Sequence, residues 1–342
     1  MAHLPSIKKG DNAMTNILRP ARRTLLAAGL LSPLATPAIA QSPWPNRPVR
    51  VIVPWPPGGS TDVLARIVAE RMQAITGQPF AVENRSGAAG NIGADAIAKS
   101  TPDGYTMGPL TLTVWAIHMF LYDRMPFNPD TELQPISMHW ELPNVFAVPS
   151  AHVPARTPRE FIEWARARRQ GVAYGSPGVG TSPHLSGALF ASRNNLDATH
   201  VPFRGAAQTI PAMLQGDVNF AIDNLASYVP VIADGRMRAL AVTSAERHPA
   251  LPDTPTMAEA GIENFTVASW CAYAFPAGVP APILQRANQL MQEIHNDPAI
   301  QERFIRAGGR AMASTPDGVW ERARRERPMW QEMARITGAR LG

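Results

Sequence analysis

The stretch Val49-Arg50-Val51-Ile52-Val53-Pro54-Trp55-Pro56-Pro57-Gly58-Gly59-Ser60-Thr61-Asp62 decides the fold. Five residues of β-forming character run into a proline- and glycine-rich turn. A helical pattern follows, with Val63, Leu64, Ile67, Val68, Met72 and Ile75 on one broad face. Gly77 supplies the helix stop. Strand, glycine turn, helix is the repeating unit of α/β proteins.

The same unit recurs along the chain. Residues 80–83 read as a second strand, 91–99 as a helix and 105–112 as a third strand. The middle starts anew at Thr157-Pro158-Arg159-Glu160, a capping box with Pro at the first helical position, which predicts a helix to about residue 169. A strand at 172–174 leads into Gly175-Ser176-Pro177-Gly178-Val179-Gly180-Thr181-Ser182-Pro183-His184 and a helix over 185–192. Another strand at 199–203 precedes Arg204-Gly205-Ala206-Ala207 and a helix to 214. Residues 218–222 lead to Asp223, and 238–243 read as a further strand. Helices opening at Pro282, Pro298 and Pro316 fill the C-terminal part.

Three of these turns share a design. Glycines let successive backbone N–H groups face one concavity, and the following helix adds partial positive charge at its N-terminus. Such a turn holds a carboxylate or phosphate without a lysine. A tight turn alone would need the same glycines, so one such loop says little. Three in one α/β chain point to an anion pocket at the carboxyl ends of strands.

Composition excludes several classes. The chain has 342 residues, 17% charged and 45% hydrophobic, with one Cys, so it is long enough for two domains and carries no intrachain disulfide framework. Its formal charge of +5 is uneven. Residues 1–40 hold five basic groups and one acid, leaving 27 basic (32 less 5) and 26 acidic (27 less 1) elsewhere. A nucleic-acid partner is therefore not expected. Arg19, Arg22 and Arg23 precede an apolar run that ends in Ala38-Ile39-Ala40, the pattern of a cleaved signal peptide. The mature protein is expected in the periplasm, starting near Gln41, by the Sec route or, given Arg22-Arg23, the twin-arginine route. Met14 is an alternative start to Met1.

Catalytic and cofactor motifs are missing. No Walker lysine, no zinc-binding His-Glu-x-x-His and no Gly-x-Ser-x-Gly elbow occurs, so neither metal nor cofactor is expected. Ser182, His184 and Asp223 could in principle meet in one pocket. A loop serine two residues from its histidine is poorly placed for proton transfer, which makes His184 a cap or pocket wall. Cys271, in an apolar run, reads as a buried hydrophobe.

The opening stretch, with Asn84-Arg85-Ser86-Gly87-Ala88-Ala89-Gly90-Asn91-Ile92-Gly93 and Pro102-Asp103-Gly104-Tyr105-Thr106, resembles the Bug/TctC family of extracytoplasmic solute-binding receptors of tripartite tricarboxylate transporters. The resemblance continues through the loop at 175–185, Val201-Pro202-Phe203-Arg204-Gly205 and Arg238-Ala239-Leu240-Ala241-Val242-Thr243. Arg204 stands where the family usually has lysine, and Thr181 where serine is common.

The resemblance implies a two-domain α/β architecture of the periplasmic-binding type, hinged by two crossing strands at about 145–149 and 266–275, with a ligand cleft between domains. Domain 1 would comprise 43–147 plus 268–342, and domain 2 148–267. It places one clamp on Trp55, Gly58, Gly59 and Ser60, and the other on Thr181, Ser182, His184, Gly205, Ala206 and Ala207. Asp223 falls where amino-acid-binding members hold the ligand's ammonium group. The function implied is non-catalytic capture of a small organic carboxylate for uptake by a monomeric receptor with membrane permease partners. A secreted hydrolase using Ser182 and His184, or a receptor feeding a membrane signalling protein, are the alternatives. Asp223 facing the cleft would repel a second carboxylate, which favours a monocarboxylate, an amino acid or an aromatic acid over citrate.

Overall fold

The computed structural model describes residues 44–341, so the expected leader at 1–40 lies outside the described residues. The opening stretch folds as read: β1 (Val49–Val53) enters α1 (Ser60–Thr76), followed by β2 (Phe80–Asn84), α2 (Asn91–Ala98) and β3 (Thr106–Thr111). A single-turn helix, α3 (Pro129–Glu132), passes directly into β4 (Leu133–Pro149). Then come α4 (Pro158–Arg166), β5 (Val172–Ser176), α5 (Ser182–Arg193), β6 (Ala198–Pro202), α6 (Ala206–Gln215), β7 (Ala221–Asn224), α7 (Leu225–Ala233) and β8 (Met237–Val242). The chain returns through β9 (Ala268–Pro276), α8 (Ala281–His295), α9 (Pro298–Arg306), β10 (Arg310–Ala311) and α10 (Pro316–Thr337).

The main sheet runs β10-β4-β9-β3-β1-β2, with β7 and β8 also paired to β4, while β5 and β6 form a separate parallel pair. β4 is the organising strand. Residues Leu133 to Pro143 pair antiparallel with Pro276 to Ala268 of β9. Beyond them, Asn144 to Ala147 pair with β7, and Val145 to Pro149 with β8. At 17 residues, or roughly 50 Å at the strand rise, one strand serves both halves of the chain.

The segments expected to cross between the halves, 145–149 and 266–275, fall in β4 and β9; 145–149 pairs with β8, and β9 pairs with the earlier part of β4. Pro135 and Pro143 inside the run argue against a strand by sequence. The ladder accommodates the first with register shifts between Pro135 and Ser137 and between Met138 and Trp140.

Local signals set the helix starts. Thr157 accepts from the Glu160 amide at 3.1 Å, and Glu160 reaches back to the Arg156 amide at 2.8 Å, one residue earlier than an ordinary capping box. Thr181, Asp297 and Thr315 cap α5, α9 and α10 in the same way. The helix predicted over 185–192 thus begins three residues earlier, at Ser182.

Packing locks β4 in place. Phe146 meets Phe190 at 4.8 Å and Phe161 at 5.1 Å between ring centroids, and all three are fully buried. On the other side, Arg322 of α10 bonds Glu141 at 2.5 Å and Glu326 at 2.9 Å. Glu326 also accepts from the Trp270 indole at 2.7 Å, which ties α10 to β4 and β9. Cys271 is fully buried, as expected of a hydrophobe. No helix among the described residues is long and apolar enough to cross a membrane.

Gly108 of β3 marks a close approach. A Cβ there would lie 2.0 Å from the Ile52 carbonyl oxygen, a backbone atom that cannot swing aside. Gly108→Ala is expected to lower stability by about 1–3 kcal/mol through forced backbone displacement. Urea unfolding of the variant should show a lower midpoint; an unchanged midpoint would refute the tight strand contact.

Candidate ligand-binding cleft

Four helices of 17, 12, 10 and 9 residues begin around one cavity. α1 contributes Gly59, Ser60 and Thr61; α5 contributes Thr181, Ser182 and Pro183; α6 contributes Gly205, Ala206 and Ala207; α7 contributes Asn224 and Ser227. Each helix start carries amides without intrahelical partners and partial positive charge. No lysine, arginine or histidine lines the cavity among the described residues. The cavity holds about 540 Å³ with its mouth included. That volume falls within the range of about 300–1,000 Å³ typical of small-molecule sites.

The turn before α1 is held from below. The Asp62 carboxylate accepts from the Gly58 amide at 2.9 Å, from Arg66 and from Asn84. Burial opposes ionisation of Asp62, yet these donors outweigh it and keep its carboxyl below the usual range. The Asn84 amide also bonds the Trp55 carbonyl at 2.9 Å, fixing the wall residue. Opposite, Gly205 at φ +150° allows close approach, since a Cβ there would lie 3.0 Å from the Pro56 ring.

Serines bridge the cleft. The Ser60 amide donates to the Ser227 hydroxyl at 3.0 Å, and the two hydroxyls lie 2.8 Å apart. Ser182 and Ser269 hydroxyls are 2.6 Å apart, and Ser269 donates to Asn224 at 2.8 Å. Three buried polar atoms of lining residues have no protein partner: the indole nitrogens of Trp55 and Trp140 and the hydroxyl of Thr111. An indole N–H only donates, so two of these three require an acceptor.

Of the residues singled out by sequence, Trp55, Gly59, Ser60, Thr181, Ser182, Gly205, Ala206, Ala207 and Asp223 line the cavity. Gly58 and His184 do not. Gly58 spends its amide on Asp62, whereas His184 accepts from the Gly180 amide at 3.2 Å and stacks on His200 at 3.9 Å. Burial pushes the His184 imidazole down to about 4 and, with the neighbouring His184, the His200 imidazole to about 3. Both rings are therefore neutral near pH 7.

Thr111, Thr113, Trp140, Asn224, Ser227 and Ser269 line the cavity without having been singled out as ligand residues. Thr111 closes β3, and the rule that ligands sit beyond carboxyl ends of strands points to it and Thr113. Ser269 carries no such signal; β9 delivers it from 87 positions beyond Ser182.

Asp223 lies at 1% exposure, accepting from the Asn224 amide at 2.6 Å and the Tyr228 hydroxyl at 3.1 Å. Burial pushes its pKa up to about 7 despite both donors.

This arrangement defines an α/β solute-binding protein of the two-domain periplasmic type. A family model described as tripartite tricarboxylate transporter family receptor matches residues 64–317, and the chain belongs to that family. It is 33% identical over 334 residues to BugT of Bordetella pertussis, covering 96% of this chain and 99% of that one. The solved structure of R. palustris Rpa4515 with adipate superposes with a TM-score of 0.84 at 33% identity, covering 87% of this chain and 100% of the other. Periplasmic binding protein BugD gives 0.81 at 28% identity, covering 87% and 99%.

The raised pKa of Asp223 has a signed consequence for stability. Its folded value, about 7, exceeds its unfolded value, 3.8, so the folded protein binds more protons between those limits. Stability from this group is complete below about pH 4 and is lost as pH rises toward 7, at about 1.4 kcal/mol per pH unit. Asp223→Asn should gain on the parent protein across that window and hold a constant difference above it. Urea midpoints of both proteins across the range check this; a constant difference throughout would refute it.

Proposed function

We propose that this protein is a non-catalytic periplasmic receptor that captures a small organic carboxylate and presents it to a membrane permease. The observation that supports this reading is a cation-free cavity on which four helix N-termini converge. Oriented amides and hydroxyls hold an anion by hydrogen bonds, and the unpaired indole donors of Trp55 and Trp140 match ligand acceptors. Rpa4515, a relative of this fold, has adipate in its structure. With Asp223 ionised, one carboxylate is favoured over two or three, and Trp55 offers a flat wall to an aromatic or aliphatic body. The leader ending at Ala40 would deliver the protein to the periplasm as a monomer.

The hydrolase reading lacks its essential contact. The Ser182 hydroxyl pairs with Ser269, and the His184 Nδ1 atom is occupied by the Gly180 amide, so neither activates the other. Permease delivery and membrane signalling would use the same captured ligand.

A thermal-shift screen of carboxylates tests the binding reading. A true ligand at about 100 times its Kd adds about 2.7 kcal/mol, roughly 4 °C for a chain of this length. No shift with any carboxylate, or turnover of simple esters, would overturn it.

Domains at 43–147 plus 268–342 and at 148–267, flanking the cleft, would close on the ligand about their connecting strands. Small-angle scattering should show a smaller radius with saturating ligand than without; identical profiles would refute the hinge.

A further inference from the structure

Asp223 is the one titratable group among the described residues lining the cleft, and no cation answers it there. Its partners, the Asn224 amide and the Tyr228 hydroxyl, are both neutral. The elements packed on β7 bring no free charge to it. β4 lays Val145 and Asn144 alongside; its Glu141 is paired with Arg310 and Arg322, and its buried His139 bonds His295. α5 carries His184, stacked on His200, and Arg193, bonded to the Asn264 carbonyl. β5 carries Tyr174, stacked on the same imidazoles. α6 has no ionisable residue, and α7 has Tyr228 alone.

A carboxylate bound in this space lies beside Asp223, a residue of the wall with no cation among its neighbours there. Two adjacent carboxylates share such a site when one of them holds a proton. We propose that the cleft binds its carboxylate ligand together with one proton, which resides on Asp223. The proton comes from solvent: the ionised side chain becomes the neutral acid, and no bond of the ligand is broken. The acid then offers one more donor in a pocket otherwise built of amides, hydroxyls and indoles. This rests on the carboxylate-receptor reading above.

Burial alone leaves Asp223 half protonated near pH 7, and a bound anion raises its proton affinity further. Affinity for a carboxylate is therefore level below about pH 7 and falls by up to about tenfold for each pH unit above it. A dicarboxylate such as adipate fits only with Asp223 neutral, so its dependence is at least as steep as that of benzoate.

Calorimetric titration of the mature chain with benzoate and with adipate, at about pH 6 and about pH 8 in buffers of different ionisation enthalpy, counts the protons taken up. The expected result is about one proton per ligand at the higher pH, with affinity reduced by about tenfold or less relative to neutral pH. Asp223→Asn should take up none and bind at the higher pH as the parent binds at the lower. A probe that binds with equal affinity at both pH values and no proton uptake overturns the proposal and leaves the carboxylate receptor standing. A folded Asp223→Asn variant that loses binding altogether overturns it too, because Asp223 would then be an ionised anchor for a cationic group. No binding of either probe at any pH overturns the proposal, and the thermal-shift screen across carboxylates decides separately whether the receptor reading stands. The proton count on the parent protein decides the matter even if the variant does not fold.

Discussion

Everything around the cleft depends on the continuity of β4. One strand spends its first two thirds against β9 and its last third against β7 and β8. Asn144 sits at the changeover and satisfies both sides. Its amide donates to the Thr243 hydroxyl at 2.9 Å, its side-chain nitrogen reaches Ser186, and Ser269 approaches its oxygen. Asn144 is fully buried, so losing any of these partners would leave a polar group unpaired away from water. The strand and its polar junction together set where the helices of both halves can begin.

The cleft solves an electrostatic problem with few charges. A guanidinium or ammonium at the anion site would bind more strongly but would also need to be desolvated and paired. Four helix starts provide the same sign of potential from neutral amides that their helices hold in place but leave unpartnered. Charged residues near the cleft are spent on support instead: Asp62 and Arg66 hold the turn that carries Gly58 and Gly59. Asp223 is the exception, and its burial among neutral donors makes it responsive to pH where a surface carboxylate would be inert.

The imidazoles follow a different logic. His139 and His295 form a buried neutral pair in one core, and His184 and His200 stack beneath the loop at 176–181. Their depressed pKa values mean that the unfolded chain binds protons more readily below about pH 6.5, so these groups weaken the fold as pH falls. Asp223 acts in the opposite direction. The windows overlap, so where both act His184 and His200 outweigh Asp223 and the combined stability of these three groups rises with pH to about 6.5 before Asp223 alone lowers it.

The sequence by itself determined the local grammar: strand, glycine turn and helix start at 49–62, 172–182 and 199–206 needed only nearest-neighbour chemistry. Nine of the eleven residues that the family resemblance placed at the ligand line the cleft, and for those at helix starts the glycine turns gave a local reason as well. Gly58 and His184 were drawn elsewhere by partners, Asp62 and His200, that lie close by but whose pull spacing does not reveal. Tertiary structure alone decided the rest. β4 survives Pro135 because register shifts and partners from distant segments keep its other groups bonded. Ser269 and Trp140 reach the cleft through cross-strand pairing, and Asp223 acquires its raised pKa only when folding removes water from its carboxyl. Burial and long-range hydrogen bonding are properties of the assembled molecule, and no window of sequence contains them.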